Sequence, residues 1–154
     1  MTDEIVVRRL AEVDLLTLAG LYKQFWGEES CLEKMRTTFA RLKDDPDYVF
    51  LVAQQQGDVA GSVMGIACHE LYGDCNPFMV IEDVIVDKVH RRKGVGTALM
   101  SAVERWGIDN GCKYVIFVTE SDRVEAHRFY ESLGYELDAH KGLKKDLINR
   151  LGHP

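Results

Sequence analysis

The chain has 154 residues, of which 46% are apolar and 29% charged, enough for the core of one domain of ordinary size spanning 1–154. A formal net charge of −6 weighs against a nucleic-acid partner. No apolar run reaches the ~18 residues that would suggest a membrane span, so no membrane partner is expected either.

The acidic start, Met1-Thr2-Asp3-Glu4, leads straight into a strand-like run over Ile5 to Arg9 and does not read as an export signal. Asp14 to Phe25 carries apolar residues at 15, 18, 21, 22 and 25, a helical spacing. Ser30, with Glu33 three residues on, is placed to cap a second helix through Leu42. Lys43 to Asp47, with Pro46 inside, breaks the chain. Tyr48 to Gln54 and Val59 to Leu71 read as strands of a hairpin that turns at Gln56-Gly57-Asp58. After a loop at Gly73 to Pro77, Phe78 to Val86 reads as a central strand and Thr97 to Asp109 as a helix. Asn110-Gly111 ends that helix. Tyr114 to Val118 is β-branched and aromatic, and reads as a strand. Arg123 to Leu133 reads as a helix stopped by Gly134, with weaker strands at Tyr135 to Asp138 and Leu143 to Leu147. This order predicts a mixed sheet with helices packed on its faces.

Three groups of residues carry chemistry. The first is Arg91-Arg92-Lys93-Gly94-Val95-Gly96, between the central strand and a helix. The first N–H groups of a helix lack intrahelical partners, the dipole adds partial positive charge, and anions settle there. Gly94 and Gly96 allow close approach of the main chain to a ligand. The stretch is neither a Walker motif nor a dinucleotide fingerprint, because Leu99 stands at the third glycine position. A solvated basic loop is the competing reading. The second group is Glu82-Asp83. Absent a bulge, Glu82 shares a face with Val80, Val84 and Val86, and Asp83 with Ile81 and Ile85. Apolar surroundings raise a carboxylate's pKa and suit a general base. A structural carboxylate is the alternative for Glu82, and the favoured reading for Asp83. The third is Ala126 to Tyr135, where periodicity alone makes Tyr130 a packed aromatic and His127 a surface residue. Cys31, Cys68, Cys75 and Cys112 fit neither CxxC nor zinc spacing, and the five histidines show no ligand spacing. No metal is expected, and reduced thiols point to the cytoplasm.

Arg91-x-x-Gly94-x-Gly96 matches the [RQ]-x-x-G-x-[GA] signature, and Ala126, Phe129, Tyr130, Gly134 and Tyr135 match A-x-x-[FY]-Y-x-x-x-G-[FY]. Two ordered motifs, separated by a helix and a strand, resemble the GNAT superfamily of acetyl-CoA-dependent N-acetyltransferases. The resemblance is strong over 78–135 and only architectural before that. It implies an α/β (α+β) fold, with a mostly antiparallel mixed sheet splayed at its middle and about four flanking helices. It also implies acetyl-CoA as co-substrate without a metal, and a primary amine on a small molecule as acceptor. The main chain of Val84, Ile85 and Val86 would hold the pantetheine arm, and Arg91, Arg92, Lys93, Gly94, Val95, Gly96 and Thr97 the pyrophosphate. Tyr130 would protonate the departing thiolate. Ile81 to Val86 resembles the [IL]-E-D-x-x-V segment of the polyamine and glucosamine 6-phosphate branches, which favours Glu82 as base. Arg123 stands where the family often has asparagine, and there it could meet a phosphate. The acceptor stays open between a small amine, an amino sugar and a peptide. A non-catalytic module that binds acetyl-CoA is the rival, and the homodimer common among relatives is not readable from the chain.

Overall fold

The computed structural model describes residues 4–148, so Met1–Asp3 of the acidic start lie outside the described residues. The chain forms two compact units, Met1–Ile116 and Phe117–Pro154. The first contains β1 (Ile5–Arg9), α1 (Leu15–Trp26), α2 (Leu32–Leu42), β2 (Tyr48–Gln55), β3 (Asp58–Cys68), β4 (Phe78–Val86), α3 (Val95–Asp109) and β5 (Val115–Ile116). The second holds α4 (Val124–Ser132).

The strands form one sheet in sequence order, β1-β2-β3-β4-β5. The first four are antiparallel, and β5 runs parallel to β4. This is the mixed, mostly antiparallel sheet that the resemblance implies, and the described residues contain four α-helices. The β2–β3 hairpin closes on Gln56 (φ 55°) and Gly57 (φ 88°). Two successive left-handed residues turn the chain with the hand that matches strand twist.

Alternation along the strands gives the sheet two apolar faces. On one, α3 lays down a stripe of Val95, Leu99 and Val103, all buried at helical spacing. Gly61 and Gly65 of β3 let it come close. A Cβ at Gly65 would meet Val103 and Val49 within 3 Å. One at Gly61 would lie 2.6 Å from the Ile85 carbonyl oxygen. On the other face Val52 packs with Leu10, Leu15, Leu18 and Phe39, so α1 and α2 cover it. The start of α1 is fixed by Arg8, whose guanidinium grips the buried Asp14 through two bonds of 2.7 and 2.8 Å. Arg8 and the Ala11 amide hold the Asp14 carboxyl below the usual carboxylate range, against the opposing effect of burial.

Several expected boundaries move. α2 is capped by Cys31 rather than Ser30, and no side chain makes a capping bond there. The Ser30–Glu33 capping box does not form, because Glu33 then stands at the second helical position, one short of where a box needs it. α3 begins at Val95, two residues earlier than Thr97, because the left-handed Gly94 (φ 89°) is its N-cap. β3 ends at Cys68 rather than Leu71, where His69 turns to meet Asp47. The strand expected over Tyr114 to Val118 shrinks to two residues. The strands expected at 135–138 and 143–147 are absent: the Tyr135 amide bonds back to the Tyr130 carbonyl, and Leu143 and Leu147 face solvent. β-Propensity without a partner ladder does not make a strand.

Taken by itself, the second unit is organised by aromatic rings. Tyr130 of α4 is buried, with Phe117 edge-on at 4.6 Å and Phe129 tilted at 5.2 Å. Tyr135 also meets Phe117 edge-on at 5.0 Å. The helix ends as expected, with Gly134 left-handed just beyond it (φ 93°).

Because the atom facing Gly61 belongs to the backbone and cannot rotate away, Gly61→Ala is expected to destabilise the protein by about 2 kcal/mol. Urea unfolding measures this, and an unchanged midpoint would contradict the close approach.

Candidate active site

The site is organised by an irregularity in β4. Glu82 pairs with Met64 and Ile85 with Ser62, so three steps along β4 match two along β3. The extra residue is a β-bulge, and Asp83 within it is left-handed at φ 54°. The alternation expected without a bulge therefore fails. Directly opposite residues share a face, so Glu82 and Ile85 come to one side and Asp83 leaves the simple pattern. Glu82 is exposed rather than set among apolar neighbours, while Asp83 is half-buried. Desolvation raises the carboxyl pKa of Asp83, the residue for which a structural role looked better from sequence.

On its other edge β4 pairs with β5 only through Met79–Val115 and Val80–Ile116. From Ile81 to Val86 that edge has no strand partner among the described residues. The sheet opens there, and the main chain of Val84, Ile85 and Val86 runs along the opening.

At the end of β4 the chain makes a short 3-10 turn, Lys88–His90, and then the basic stretch. Arg91, Arg92 and Lys93 are all exposed. Arg91 Nε donates to the Val86 carbonyl at 3.2 Å, folding the side chain back to the strand end. Arg92 (φ 61°) and Gly94 (φ 89°) are left-handed. The first amide drawn back into α3 is that of Ala98, which bonds to the Gly94 carbonyl at 3.0 Å. The Val95, Gly96 and Thr97 amides thus form the open first turn of a 15-residue helix. Phosphate oxygens fit this donor set.

A brace that sequence reasoning missed steadies the turn. Gln24 of α1 donates to Asp87 Oδ1 at 3.2 Å and accepts from the Lys88 amide at 3.0 Å. Asp87 also accepts from the Val89 amide. Polar contacts across 63 and 64 positions leave no local signal.

A second missed feature is a cleft of about 200 Å³ beside the bulge. It is lined by Tyr22 and Trp26 at the end of α1, by Glu28, Glu29 and Ser30 of the following loop, and by Asp83. Gly27 is left-handed (φ 78°) and ends α1, so the loop departs from there. Tyr22 satisfies the helical pattern, so sequence spacing marks it as a packing residue, and Trp26 lies one residue beyond the helix expected from the sequence. Burial, and secondarily the Asp83 charge, push the Tyr22 phenol well above its ordinary pKa and keep it protonated.

In the second unit, burial raises the Tyr130 phenol pKa against an opposing pull from Arg123, so its proton is held at neutral pH. Arg123 is the N-cap of α4. His127, expected as a surface residue, is half-buried, and its Nε2 donates to the Glu120 carbonyl at 2.8 Å. No group of three or more potential metal ligands occurs among the described residues. No described helix is long and apolar enough to cross a membrane.

An open strand edge, a helix start with uncommitted amides and a cleft beside the bulge all belong to the first unit. Residues 15–135 match the acetyltransferase (GNAT) family, and the chain belongs to that family of enzymes. It is 25% identical over 132 residues to an aminoglycoside N(6')-acetyltransferase type 1 of Salmonella enteritidis, covering 84% of this chain and 90% of that protein. A glucosamine-6-phosphate N-acetyltransferase from Arabidopsis thaliana superposes with a TM-score of 0.81 at 23% identity, over 92% of this chain and 98% of that one. An aminoglycoside N-acetyltransferase solved in complex with CoA gives 0.79 at 20% identity, over 96% and 98%. At these identities the structural likenesses show the fold.

The raised pKa of Asp83 has a consequence for stability. Its protonated form is favoured in the folded state, so the contribution is present below the unfolded pKa near 3.9 and is lost as pH rises through the raised native value. Asn has no charge to desolvate and accepts a left-handed backbone as readily as Asp. Asp83→Asn is expected to gain stability over the wild type as pH rises from about 3.5 to 7. Urea midpoints at the two values check this, and a pH-independent difference would contradict it.

Proposed function

We propose that the chain is a single N-acetyltransferase domain that moves an acetyl group from acetyl-CoA to a primary amine by direct transfer in a ternary complex. The observation that carries this reading is the open edge of β4 leading into the Gly94-capped start of α3. The family match runs from 15 to 135 and so spans both compact units, which supports one functional domain. The names of the relatives support a small amine or amino sugar as acceptor.

Acetyl-CoA supplies an activated acetyl thioester. The diphosphate is assigned to the amides of Val95, Gly96 and Thr97 and to Arg91, Arg92, Lys93 and Gly94, with Arg123 as a further phosphate contact. The pantetheine arm is assigned to the main chain of Val84, Ile85 and Val86. Glu82 takes a proton from the acceptor ammonium, directly or through water, and its exposure keeps it reachable. The freed amine forms a bond to the acetyl carbon as the carbon–sulfur bond breaks. A main-chain N–H at Val84 stabilises the carbonyl oxygen, and such a donor is worth about 3 kcal/mol. Tyr130 gives its proton to the leaving sulfur, and the second proton shed by the new amide nitrogen restores the phenol. Its role rests on its place in the second motif, and burial holds the phenol in its protonated form at neutral pH. Holding both reactants in line supplies further acceleration.

Glu82→Gln is expected to lower turnover by about 10²-fold, and Tyr130→Phe to slow thiol release, in an assay of free thiol with an amine panel. Full activity in both variants across pH would remove their roles. Gly94→Val, which forces a branched side chain into a left-handed position, is expected to weaken acetyl-CoA binding about tenfold. Unchanged calorimetric affinity would contradict the placement of the diphosphate.

A further inference from the structure

The brace between α1 and the basic stretch has a consequence for the donor. Building on the acetyltransferase reading, we propose that Gln24 is a positioning residue: its amide clamps the turn before α3, so that α1 sets where the diphosphate end of acetyl-CoA is held.

The hold of the sheet ends at Asp87, whose amide bonds to the Ala60 carbonyl of β3 at 2.8 Å. Residues 88–94 carry the chain from there to the N-cap of α3. This segment is costly to keep in one shape. Arg91, Arg92 and Lys93 set like charges in succession, and Arg92 keeps a left-handed backbone (φ 61°) without being glycine. Strained backbone persists where its surroundings enforce it. The amides of Val89, His90 and Arg91 bond back within the turn, to Asp87 and Lys88. Of the amides from Lys88 to Arg91, only that of Lys88 is bonded to another element, and its acceptor is Gln24 Oε1 at 3.0 Å.

Gln24 uses both ends of its side-chain amide. While Oε1 takes the Lys88 N–H, Nε2 donates to Asp87 Oδ1 at 3.2 Å, and the pair of bonds fixes the plane of the group. The other Asp87 oxygen lies 3.7 Å from Nδ1 of the buried His90. Gln24, the Val89 amide and the His90 ring together keep the carboxylate at its own turn. Left free to swing, a negative charge beside this stretch would oppose a phosphate. Gln24 is exposed. Hydrogen bonds reached by water add modestly to stability, and alanine in the last turn of α1 is a better helix former than glutamine. The fold gains little from this side chain, so its two bonds serve placement.

Calorimetry with acetyl-CoA, paired with urea unfolding of the unliganded protein, tests this. Gln24→Ala is expected to weaken acetyl-CoA binding about tenfold, the size of one lost contact, with the urea midpoint kept at the wild-type value. Gln24→Glu, which sets a carboxylate against Asp87, is expected to weaken it as well. Combining Gln24→Glu with Asp87→Asn gives back a donor and an acceptor with their direction reversed, and is expected to recover at least about threefold of the lost affinity. A side chain that merely filled space would show no such rescue. The proposal is overturned if either single variant costs less than about threefold, if the loss comes with a lowered urea midpoint, or if the exchanged pair recovers less than that. Equal binding by the wild type and Gln24→Ala overturns this inference alone. If the wild type itself takes up no acetyl-CoA, the acetyltransferase reading fails and this inference fails with it.

Discussion

One register slip governs the site. Between Glu82 and Ile85, β4 takes an extra residue against β3, and Asp83 absorbs it in a left-handed conformation. The slip lies next to the point at which β4 loses its other neighbour, since pairing to β5 stops at Val80. A strand that is both bulged on one side and unpaired on the other exposes main chain in the middle of a sheet, where normally every polar group is committed to a ladder. The same slip moves a carboxylate off the regular pattern and into the wall of a cleft.

Around that slip, two neighbourhoods are built from different material. The end proposed for the diphosphate is main chain. Gly94 sets the start of α3, the first-turn amides are left without intrahelical partners, and Gln24 and Asp87 hold the approach through a brace from α1. The cleft is walled by side chains, carried mostly by the end of α1 and the loop after it. Close packing of α3 on Gly61 and Gly65 keeps β3 and β4 in place beneath both.

Features with a local physical cause could be read from the chain. The hairpin turn, the amphipathic stripes of α1 and α3, the glycine stops at 111 and 134 and the basic turn all follow from residues within a few positions of one another. The bulge could not, because it is set by how β4 meets β3 across a loop. The only hint was an aspartate inside an apolar strand, a residue type that tolerates left-handed backbone. Tyr22 was legible as a helix residue but neither it nor Trp26, one position past the expected helix end, was legible as a cleft wall, since Asp83, which lines the same cleft, comes from a strand about sixty positions away. The last two expected strands had composition in their favour and no ladder to join. The pair Glu82 and Asp83 shows the division most sharply. The motif favours Glu82, while the fold desolvates Asp83.

The loop from Gly27 to Cys31 leaves a helix end at a left-handed glycine and enters α2 without any side-chain cap. It contributes Glu28, Glu29 and Ser30 to the cleft and nothing to the brace or the open strand edge. Changes in its length or charge therefore reshape the cleft without touching the brace or the unpaired strand edge. Five residues can drift while the start of α3 and its approach are inherited unaltered.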